Sequence, residues 1–293
     1  MKKSALPLIT TEASLTVDGH ERTFTSVAPA DLPAGSALLV LFHGSYQSGE
    51  VLRKFAAGTF DELAAREKLV VVYPDAYKKL WNDARIESNY PARLEGYDDV
   101  AFFRALVDHF ARTSGIDKSR VYAAGYSNGA QFVNRLIHEA NDALAGAALI
   151  AATQPVPENF PAGLPSAELP VVLIHGTGDR LVPYQGGMAS FWGFRPRGLG
   201  LSHLETAEYL AARNGISTAP TEKKLPASRP EKTSVTVRDW NSQGKSPVRS
   251  YTIEGGGHVI PNPVKSAAGI YGRTNKDLDS ARAIWDFFSE SKA

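Results

Sequence analysis

A serine flanked by two glycines is the clearest candidate for chemistry in this sequence. The residues Gly-Tyr-Ser-Asn-Gly at 125–129 follow the apolar run 121–124 and open an amphipathic helical pattern over 129–140. A serine in this strand–turn–helix context occupies a nucleophile elbow, which pushes its hydroxyl outward. It also lies at a helix N-terminus, where free amides can stabilise a developing oxyanion. The pattern therefore predicts Ser127 as a nucleophile.

A serine hydroxyl is a weak nucleophile near neutral pH, so it needs a general base that an acid orients. Asp179 follows the apolar run 171–174, and His258 follows the last predicted strand, 248–254. The carboxyl ends of parallel strands meet at one edge of a sheet, so we expect both side chains to converge on Ser127. The order Ser, Asp, His is one of the known chain orders of such a triad.

Other residues compete for the roles of base and acid. His203 is the other histidine after Asp179, but it stands near a predicted helix start, whereas three glycines before His258 allow an unusual backbone path. Asp239 and Glu254 are the next candidates for the acid. Each triad candidate also has a plainer interpretation, as a helix cap, a turn residue or a solvated loop histidine. Their order and their positions at strand ends favour the triad.

The second part of an acyl-transfer site is a pair of amides that bind the oxyanion. The apolar run 37–42 ends in the residues His-Gly-Ser at 43–45. This loop is typical of the one that offers a second oxyanion-hole amide, here from Ser45, with Asn128 offering the first. His43 itself is expected to be a structural hydrogen-bonding residue rather than a catalyst.

Short runs that are apolar on both faces predict parallel strands covered by helices. Such runs lie at 37–42, 69–73, 121–124, 147–152 and 171–174. The segments 98–113 and 129–140 place their apolar residues on one stripe, which indicates amphipathic helices. Strands that alternate with helices predict a mostly parallel, doubly wound α/β sheet with helices on both faces.

The remainder of the chain is expected to extend this sheet. Residues 13–28 alternate in polarity around Asp18-Gly19, which predicts two antiparallel strands. A loop-rich insertion is predicted over about 184–247, because this stretch is rich in Gly, Pro and charge. Within and after it, we expect a helix near 203–214, strands at 234–239 and 248–254, and a closing helix at 277–290. We expect residues 1–293 to form a single catalytic domain.

Composition excludes several classes of function. The net charge is +1, and hydrophobic and charged residues make up 43% and 22% of the chain, so neither nucleic acid nor a membrane is an expected partner. The basic N-terminus has an apolar stretch of only about five residues, broken by Pro7, so no signal-peptide core is expected. The protein is therefore expected to be cytoplasmic, or secreted or periplasmic if a leader has been removed. The sequence contains no cysteine, which excludes thiol nucleophiles, disulfides and thiolate metal sites.

A set of motifs resembles the polyhydroxybutyrate depolymerase and feruloyl esterase family of α/β-hydrolases. The motifs are LFHGSYQ, WND, YDDVAFFRALVDHF, GYSNGAQ, HGTGDRLVPYQGG, ETAEYLAARNG and YTIEGGGHVIP, in family order over about 37–288. The resemblance implies an α/β-hydrolase fold and a serine esterase. Its nucleophile, acid and base fall on the same three residues that the strand ends indicate.

The resemblance also suggests substrate-contacting residues. It places Gln47 beside the oxyanion loop and matches Trp81 to a tryptophan that tends to lie near substrate. Ile260 stands where the family often has tryptophan, and Ser45 where many members have cysteine. Trp192, with other aromatic residues of the loop-rich insertion (Phe191, Phe194 and Trp240), is expected to line an apolar slot for an acyl chain or a phenolic ring.

The expected activity is hydrolysis of carboxylic esters through an acyl-enzyme. The expected partners are small or oligomeric ester substrates of short-acyl, aryl, feruloyl or hydroxyalkanoate type, and no metal or organic cofactor is expected. A serine peptidase of the same fold and a non-catalytic binding protein on this scaffold are the alternatives. Soluble esters are expected to be hydrolysed faster than solid polyester. The sequence leaves acyl and alcohol specificity and the oligomeric state open.

Overall fold

The structure, a computed structural model, describes residues 7–161, 163, 167–190 and 196–291. The strands are β1 (Leu8–Val17), β2 (His20–Pro29), β3 (Leu38–Phe42), β4 (Val70–Pro74), β5 (Val121–Tyr126), β6 (Gly146–Ile150), β7 (Val171–Gly176), β8 (Gly187–Met188), β9 (Leu199–Gly200), β10 (Thr221–Lys224), β11 (Ser234–Trp240) and β12 (Val248–Glu254). The α-helices are α1 (Gly49–Phe55), α2 (Thr59–Glu67), α3 (Pro91–Leu94), α4 (Asp99–Thr113), α5 (Asn128–Glu139), α6 (His203–Arg213) and α7 (Ser280–Glu290).

The central sheet is parallel in its middle and antiparallel at both ends. Its strand order within the described residues is β1-β2-β4-β3-β5-β6-β7-β12-β11-β10. Neighbours from β4 to β12 are parallel, whereas β1, β2, β11 and β10 pair antiparallel. The predicted mostly parallel α/β sheet is therefore confirmed. Because the six middle strands run in one direction, the loops at their carboxyl ends leave from one edge.

Helices cover both faces of the sheet because the strand residues alternate between two apolar cores. On one face, Leu38, Val40 and Phe42 of β3 share a core with apolar residues of α4, α5 and α6. On the other face, Leu39 and Leu41 pack with residues of α1, α2 and α7. All five residues of β3 are fully buried, as expected for a strand that is covered on both sides.

The N-terminal hairpin is longer than the sequence indicates. The antiparallel strands β1 and β2 turn at Asp18 and Gly19, both of which have positive φ. Between 184 and 247, the described residues form β8, β9, α6, β10 and β11, and β10 and β11 extend the main sheet. The sequence gives no signal for β10, because all four of its residues are exposed and polar. No helix within the described ranges is both long and apolar enough to cross a bilayer.

Candidate active site

The turn that carries Ser127 is sterically crowded. Ser127 has φ 55° and ψ −118°, a conformation that is strained for a residue with a side chain. A Cβ on Gly125 would lie 2.3 Å from the carbonyl oxygen of Gly129, and a Cβ on Gly129 would lie 2.2 Å from the oxygen of Phe42. The two glycines are therefore required by the close approach of β5, α5 and β3. This packing is what turns the serine side chain away from the backbone.

Ser127, His258 and Asp179 form a continuous chain of hydrogen bonds. The Oγ of Ser127 lies 2.9 Å from Nε2 of His258, and Nδ1 of His258 lies 2.6 Å from Oδ2 of Asp179. The carboxylate can only accept, so Nδ1 donates to it and Nε2 is left to accept the serine proton. The structure thus brings together the three residues that the strand ends indicate.

The Asp179 carboxylate is buried but well supported. Its Oδ1 accepts hydrogen bonds from the backbone N–H groups of Leu181 and Val182, at 2.8 and 2.9 Å. Burial alone would raise the pKa of Asp179, but the charge of His258 and hydrogen bonds from His175 and His258 outweigh it. The pKa of Asp179 therefore lies well below its usual value, and the carboxylate is ionised in the folded protein at neutral pH.

The backbone after β12 holds His258 in place. A Cβ on Gly257 would lie 2.1 Å from the oxygen of Tyr271, so this approach requires glycine. The His258 N–H donates to that same oxygen at 2.7 Å, and the hydroxyl of Tyr126 donates to the His258 carbonyl at 2.8 Å. Tyr126, the residue between Gly125 and the serine, thus links the elbow to the histidine loop.

Two amides at the site are free to bind an oxyanion. Within the described residues, the N–H groups of Ser45 and Asn128 have no hydrogen-bond acceptor, and both residues line the pocket that contains Ser127. His43 holds the Ser45 loop in place through both ring nitrogens. Its Nε2 accepts from the Ala76 N–H at 3.0 Å, so Nδ1 carries the hydrogen and donates to the Gly44 carbonyl oxygen at 2.8 Å. Burial lowers the pKa of His43 to about 4, which keeps the ring neutral.

The segment after β4 positions Asn128. The Asn128 side chain accepts from the Trp81 N–H at 2.8 Å and donates to Asp83 at 2.7 Å, and Asp83 forms a buried ion pair with Arg85. Trp81 is fully buried: its ring stacks on Phe132, 5.3 Å between centroids. The structure therefore places Trp81 beneath the pocket, where it supports the oxyanion loop, and not at the substrate surface.

The other predicted substrate contacts divide between pocket and core. Gln47 lines the pocket, and its Oε1 accepts from Gly44 N–H at 3.0 Å. Ile260 is 1% exposed and packs in the core beside α7, and Trp240 is also buried. These two side chains are turned inward because they complete the apolar layers of the sheet. Trp192 lies outside the described residues, as do Phe191 and Phe194.

The competing acid and base candidates lie elsewhere. His203 is buried, and its Nε2 is hydrogen-bonded to Ser250 at 2.7 Å. Asp239 forms an ion pair with Arg249, and Glu254 is exposed at the end of β12. Across the described ranges, no group of three or more His, Asp or Glu side chains is arranged to hold a metal ion.

Sequence reasoning missed several residues of the pocket wall. They are Tyr46, Arg85, Tyr90, Tyr126, Gln131, Leu181, Val182, Ala189, Ser190, Arg197 and Tyr271. Tyr126 could have been found, because it is the middle residue between Gly125 and Ser127. Gln131 lies in α5, and Tyr46 lies in the short loop between β3 and α1. The others come from long connections whose path over the sheet edge has no periodic signal in the sequence.

Comparison with known proteins identifies the family. The chain is 30% identical over 293 residues to a Nocardia uniformis subsp. tsuyamanensis protein named "Putative esterase NocK", covering 95% of this chain and 82% of that one. The chain belongs to the esterase family of α/β-hydrolases. The sequence profile described as "Phospholipase/Carboxylesterase" matches residues 98–191 of this esterase, a range that contains Ser127 and Asp179.

More distant relatives agree with the resemblance found in the sequence. The esterase is 26% identical to poly(3-hydroxyalkanoate) depolymerase C of Paucimonas lemoignei, over 83% of this chain and 59% of that one. It is 29% identical to feruloyl esterase B of Piromyces equi, over 55% of this chain and 29% of that one. The solved acetyl xylan esterase of Aspergillus awamori covers 87% of this chain, and 95% of its own, at a TM-score of 0.61 and 16% identity, which supports the fold. The predicted family and fold are confirmed, and the protein is a carboxylic ester hydrolase.

Proposed function

We propose that this esterase hydrolyses its substrates through a Ser127–His258–Asp179 triad and a covalent acyl-enzyme. The observation that carries the proposal is the unbroken hydrogen-bond chain from Ser127 Oγ through both nitrogens of His258 to Asp179, at 2.9 and 2.6 Å. This arrangement gives the serine a neutral base and gives that base a buried, ionised partner.

The first half of the reaction forms the acyl-enzyme. Ser127 Oγ attacks the ester carbonyl carbon while its proton moves to Nε2 of His258. The carbonyl oxygen becomes an oxyanion, which the N–H groups of Ser45 and Asn128 bind; each such donor is worth about 10²–10³ in rate. The intermediate then collapses, the bond to the alcohol oxygen breaks, and His258 returns the proton to the leaving alcohol.

The second half repeats these steps with water. His258 takes a proton from water as the water oxygen attacks the acyl carbon, and the same two amides bind the new oxyanion. The bond to Ser127 Oγ breaks, the serine recovers its proton from His258, and the carboxylic acid leaves. Asp179 stays ionised throughout; it holds the imidazole in the tautomer that accepts at Nε2 and stabilises the imidazolium when it forms.

We further propose that the substrates are small soluble esters with a short acyl or an aryl group. The pocket beside Ser127 is lined by apolar side chains, Leu181, Val182 and Ala189, and by the rings of Tyr90 and Tyr271. Such a mixture fits a short chain or a phenolic ring better than a flat polymer surface.

A panel of p-nitrophenyl acyl esters with methyl ferulate, the matching p-nitroanilide and a polyhydroxybutyrate suspension tests these proposals. We expect turnover of soluble esters far above clearing of the suspension, little amide cleavage, and covalent labelling of Ser127 by a fluorophosphonate probe. The kcat/KM of the ester reaction should fall at acid pH, because only a neutral imidazole accepts the serine proton. Absence of labelling, or a profile that is flat from about pH 5 to 8, would contradict the triad.

A further inference from the structure

The active-site pocket carries a cation that the proposed triad does not use. Two arginines line the pocket, Arg85 and Arg197, and no Asp or Glu is among the described lining residues. Arg85 is neutralised, because it forms a buried ion pair with Asp83. Arg197 forms no ion pair with any described carboxylate, and the residues outside the described ranges include no Asp or Glu.

Arg197 is held over the pocket by an aromatic ring. The guanidinium carbon of Arg197 lies 4.4 Å from the ring centroid of Tyr90, and the backbone N–H of Arg197 donates to the Ala189 carbonyl at 2.9 Å. The hydroxyl of Tyr90 is in turn hydrogen-bonded to Ser45 Oγ at 3.1 Å. A guanidinium that stacks face-on against a ring keeps the N–H groups at its edge available. These N–H groups can form a bidentate pair of hydrogen bonds with a carboxylate. Arg197 is also partly buried, so water screens its charge less than that of a surface arginine.

We propose that Arg197 forms an anion subsite, and that esters which carry a carboxylate on the acyl or the alcohol side are the preferred substrate class. The proposal rests on the proposed function, because it assigns specificity at the same serine site. A charge-assisted hydrogen bond contributes about 1.5–3 kcal/mol, or roughly a ten- to hundredfold preference.

Paired esters that differ by one carboxylate test this subsite. On the acyl side, p-nitrophenyl butyrate is compared with mono-p-nitrophenyl glutarate; on the alcohol side, phenyl acetate is compared with 4-acetoxybenzoate. For Arg197→Gln, we expect kcat/KM to fall ten- to hundredfold on at least one anionic ester and to change less than threefold on the neutral ones. Arg197→Lys should lie between. The matched control is Arg180→Gln, which removes an exposed arginine that lines the neighbouring pocket, next to His258.

The outcomes separate this proposal from the proposed function. Equal losses on neutral and anionic esters, an equal loss in the Arg180 control, or no change in Arg197→Gln would overturn the subsite. Failure of the wild type to hydrolyse any ester would instead overturn the proposed function. Calorimetric binding of monomethyl glutarate to Ser127→Ala, with and without Arg197→Gln, then still tests the subsite; equal binding would overturn it.

A second, independent observation concerns His175, the penultimate residue of β7. Its Nε2 lies 3.1 Å from Asp179 Oδ2 and 3.0 Å from the carbonyl oxygen of Val182. Both partners can only accept, so Nε2 carries the hydrogen. Its Nδ1 is buried and has no partner among the described residues. The contacts therefore match the tautomer protonated at Nε2, and they leave Asp179 with four N–H donors, from His258, His175, Leu181 and Val182.

Among the described residues, few other charged groups surround His175. Its ring packs against Tyr184 and His203, with centroids 5.7 and 5.4 Å apart. The Tyr184 hydroxyl is hydrogen-bonded to Thr252, which also accepts from Arg238 at 3.2 Å. The titratable and charged groups around His175 are thus Asp179 with His258 behind it, His203, Tyr184 and, beyond Thr252, Arg238.

We infer that His175 is a positioning residue that orients Asp179 toward His258 and limits the basicity of its carboxylate. Without the His175 donor, Oδ2 keeps only the bond from His258, so the aligned geometry is held less firmly. In that geometry the carboxylate has lost one donor, so it is more basic and binds the His258 imidazolium more strongly. Loss of the donor should therefore lower kcat and move the acid limb of the pH profile to higher pH.

Two amide substitutions differ mainly in reach. In His175→Gln the side-chain nitrogen can reach the position of Nε2, whereas in His175→Asn it cannot. We expect His175→Gln to stay within about threefold of wild type, and His175→Asn to lose about ten- to hundredfold in kcat with KM within threefold and the acid limb shifted upward. His203→Asn is the matched control: it alters a buried histidine of the same cluster that does not contact Asp179.

Similar activity and pH profiles in the Gln and Asn variants, once their melting temperatures have been compared, would overturn the positioning role. An upward shift of the acid limb in His203→Asn as large as that in His175→Asn would also overturn it, because the effect would then follow from loss of any buried histidine in the cluster.

Discussion

Along one edge of the sheet, the residues next to the strand ends differ from those farther along the connecting loops. Ser127, Asp179 and His258 each stand within four residues of the end of β5, β7 or β12. Much of the pocket wall comes instead from the longer connections between β4 and α4 and between β7 and α6. Catalytic groups need placement to a fraction of an ångström, which rigid strand ends provide, whereas a wall can vary with the substrate. Substitutions at the strand ends should lower turnover of every ester, and those in the wall should change the ratio between esters.

The largest effect is expected at the elbow. Ser127→Ala removes the proposed nucleophile but fits the same turn, so activity on all soluble esters should fall at least about a thousandfold while the melting temperature stays within a few degrees. The measurement is kcat/KM on a p-nitrophenyl ester in protein free of contaminating esterase. Activity within tenfold of wild type would exclude Ser127 as the nucleophile. The distinction between strand-end residues and the pocket wall would then no longer hold.

The next effect is expected at Asp179. In Asp179→Asn the amide favours the wrong tautomer of His258, so kcat should fall by up to about 10⁴, with a similar factor for neutral and anionic esters. A panel of esters with matched leaving groups measures that uniformity. A factor that varied strongly among the esters would show that the strand-end group also contributes to specificity.

A smaller effect is expected on stability at acid pH, from the histidine beneath the oxyanion loop. Burial lowers the pKa of His43 to about 4 in the folded protein, against about 6.5 in an unfolded chain. The unfolded state therefore takes up the proton first, and stability that is present above about pH 6.5 is lost as the pH falls to about 4, on the order of 3 kcal/mol. Denaturant unfolding of wild type and His43→Gln between pH 4 and 7 checks this; parallel curves would contradict it.

The smallest effect is expected in the wall. Tyr90→Phe removes the hydrogen bond to Ser45 Oγ at 3.1 Å but keeps the ring under Arg197. One neutral hydrogen bond contributes about 0.5–1.5 kcal/mol, so kcat/KM on a neutral ester should fall less than about tenfold, and the preference for anionic esters should remain. A loss as large as that of Asp179→Asn would place Tyr90 with the catalytic groups.

Both the fold class and the three hydrogen-bonded residues could be predicted because their signals are local. Buried parallel strands have to be apolar on both faces, as β3 is, and crowding at the elbow requires glycine at 125 and 129. Similar crowding requires Gly257 before the histidine. The groups that crowd Gly129 and Gly257 come from other segments, but glycine is required at a fixed place beside the serine or the histidine. A short sequence pattern therefore carries the information.

The environment of individual side chains around the pocket could not be predicted in this way. Trp81 and Ile260 are apolar residues of the kind that lines a substrate slot, yet both are buried in the core. The direction of such a side chain depends on the helices and strands that pack against it. Tyr90 and Arg197 lie more than a hundred residues apart in the chain and meet only where two long loops cross.

The sequence by itself determined the apolar strands, the glycine-rich turns at their ends and the order of serine, aspartate and histidine along the chain. Each of these features is written in a short stretch of sequence, as a period of burial, a glycine at a fixed place or the order of three residue types. Only the tertiary structure decided that His175 donates to Asp179, that Asp83 neutralises Arg85 and that Arg197 has no described carboxylate partner. Such pairings depend on distances between separate loops, and the folding of the whole chain sets those distances.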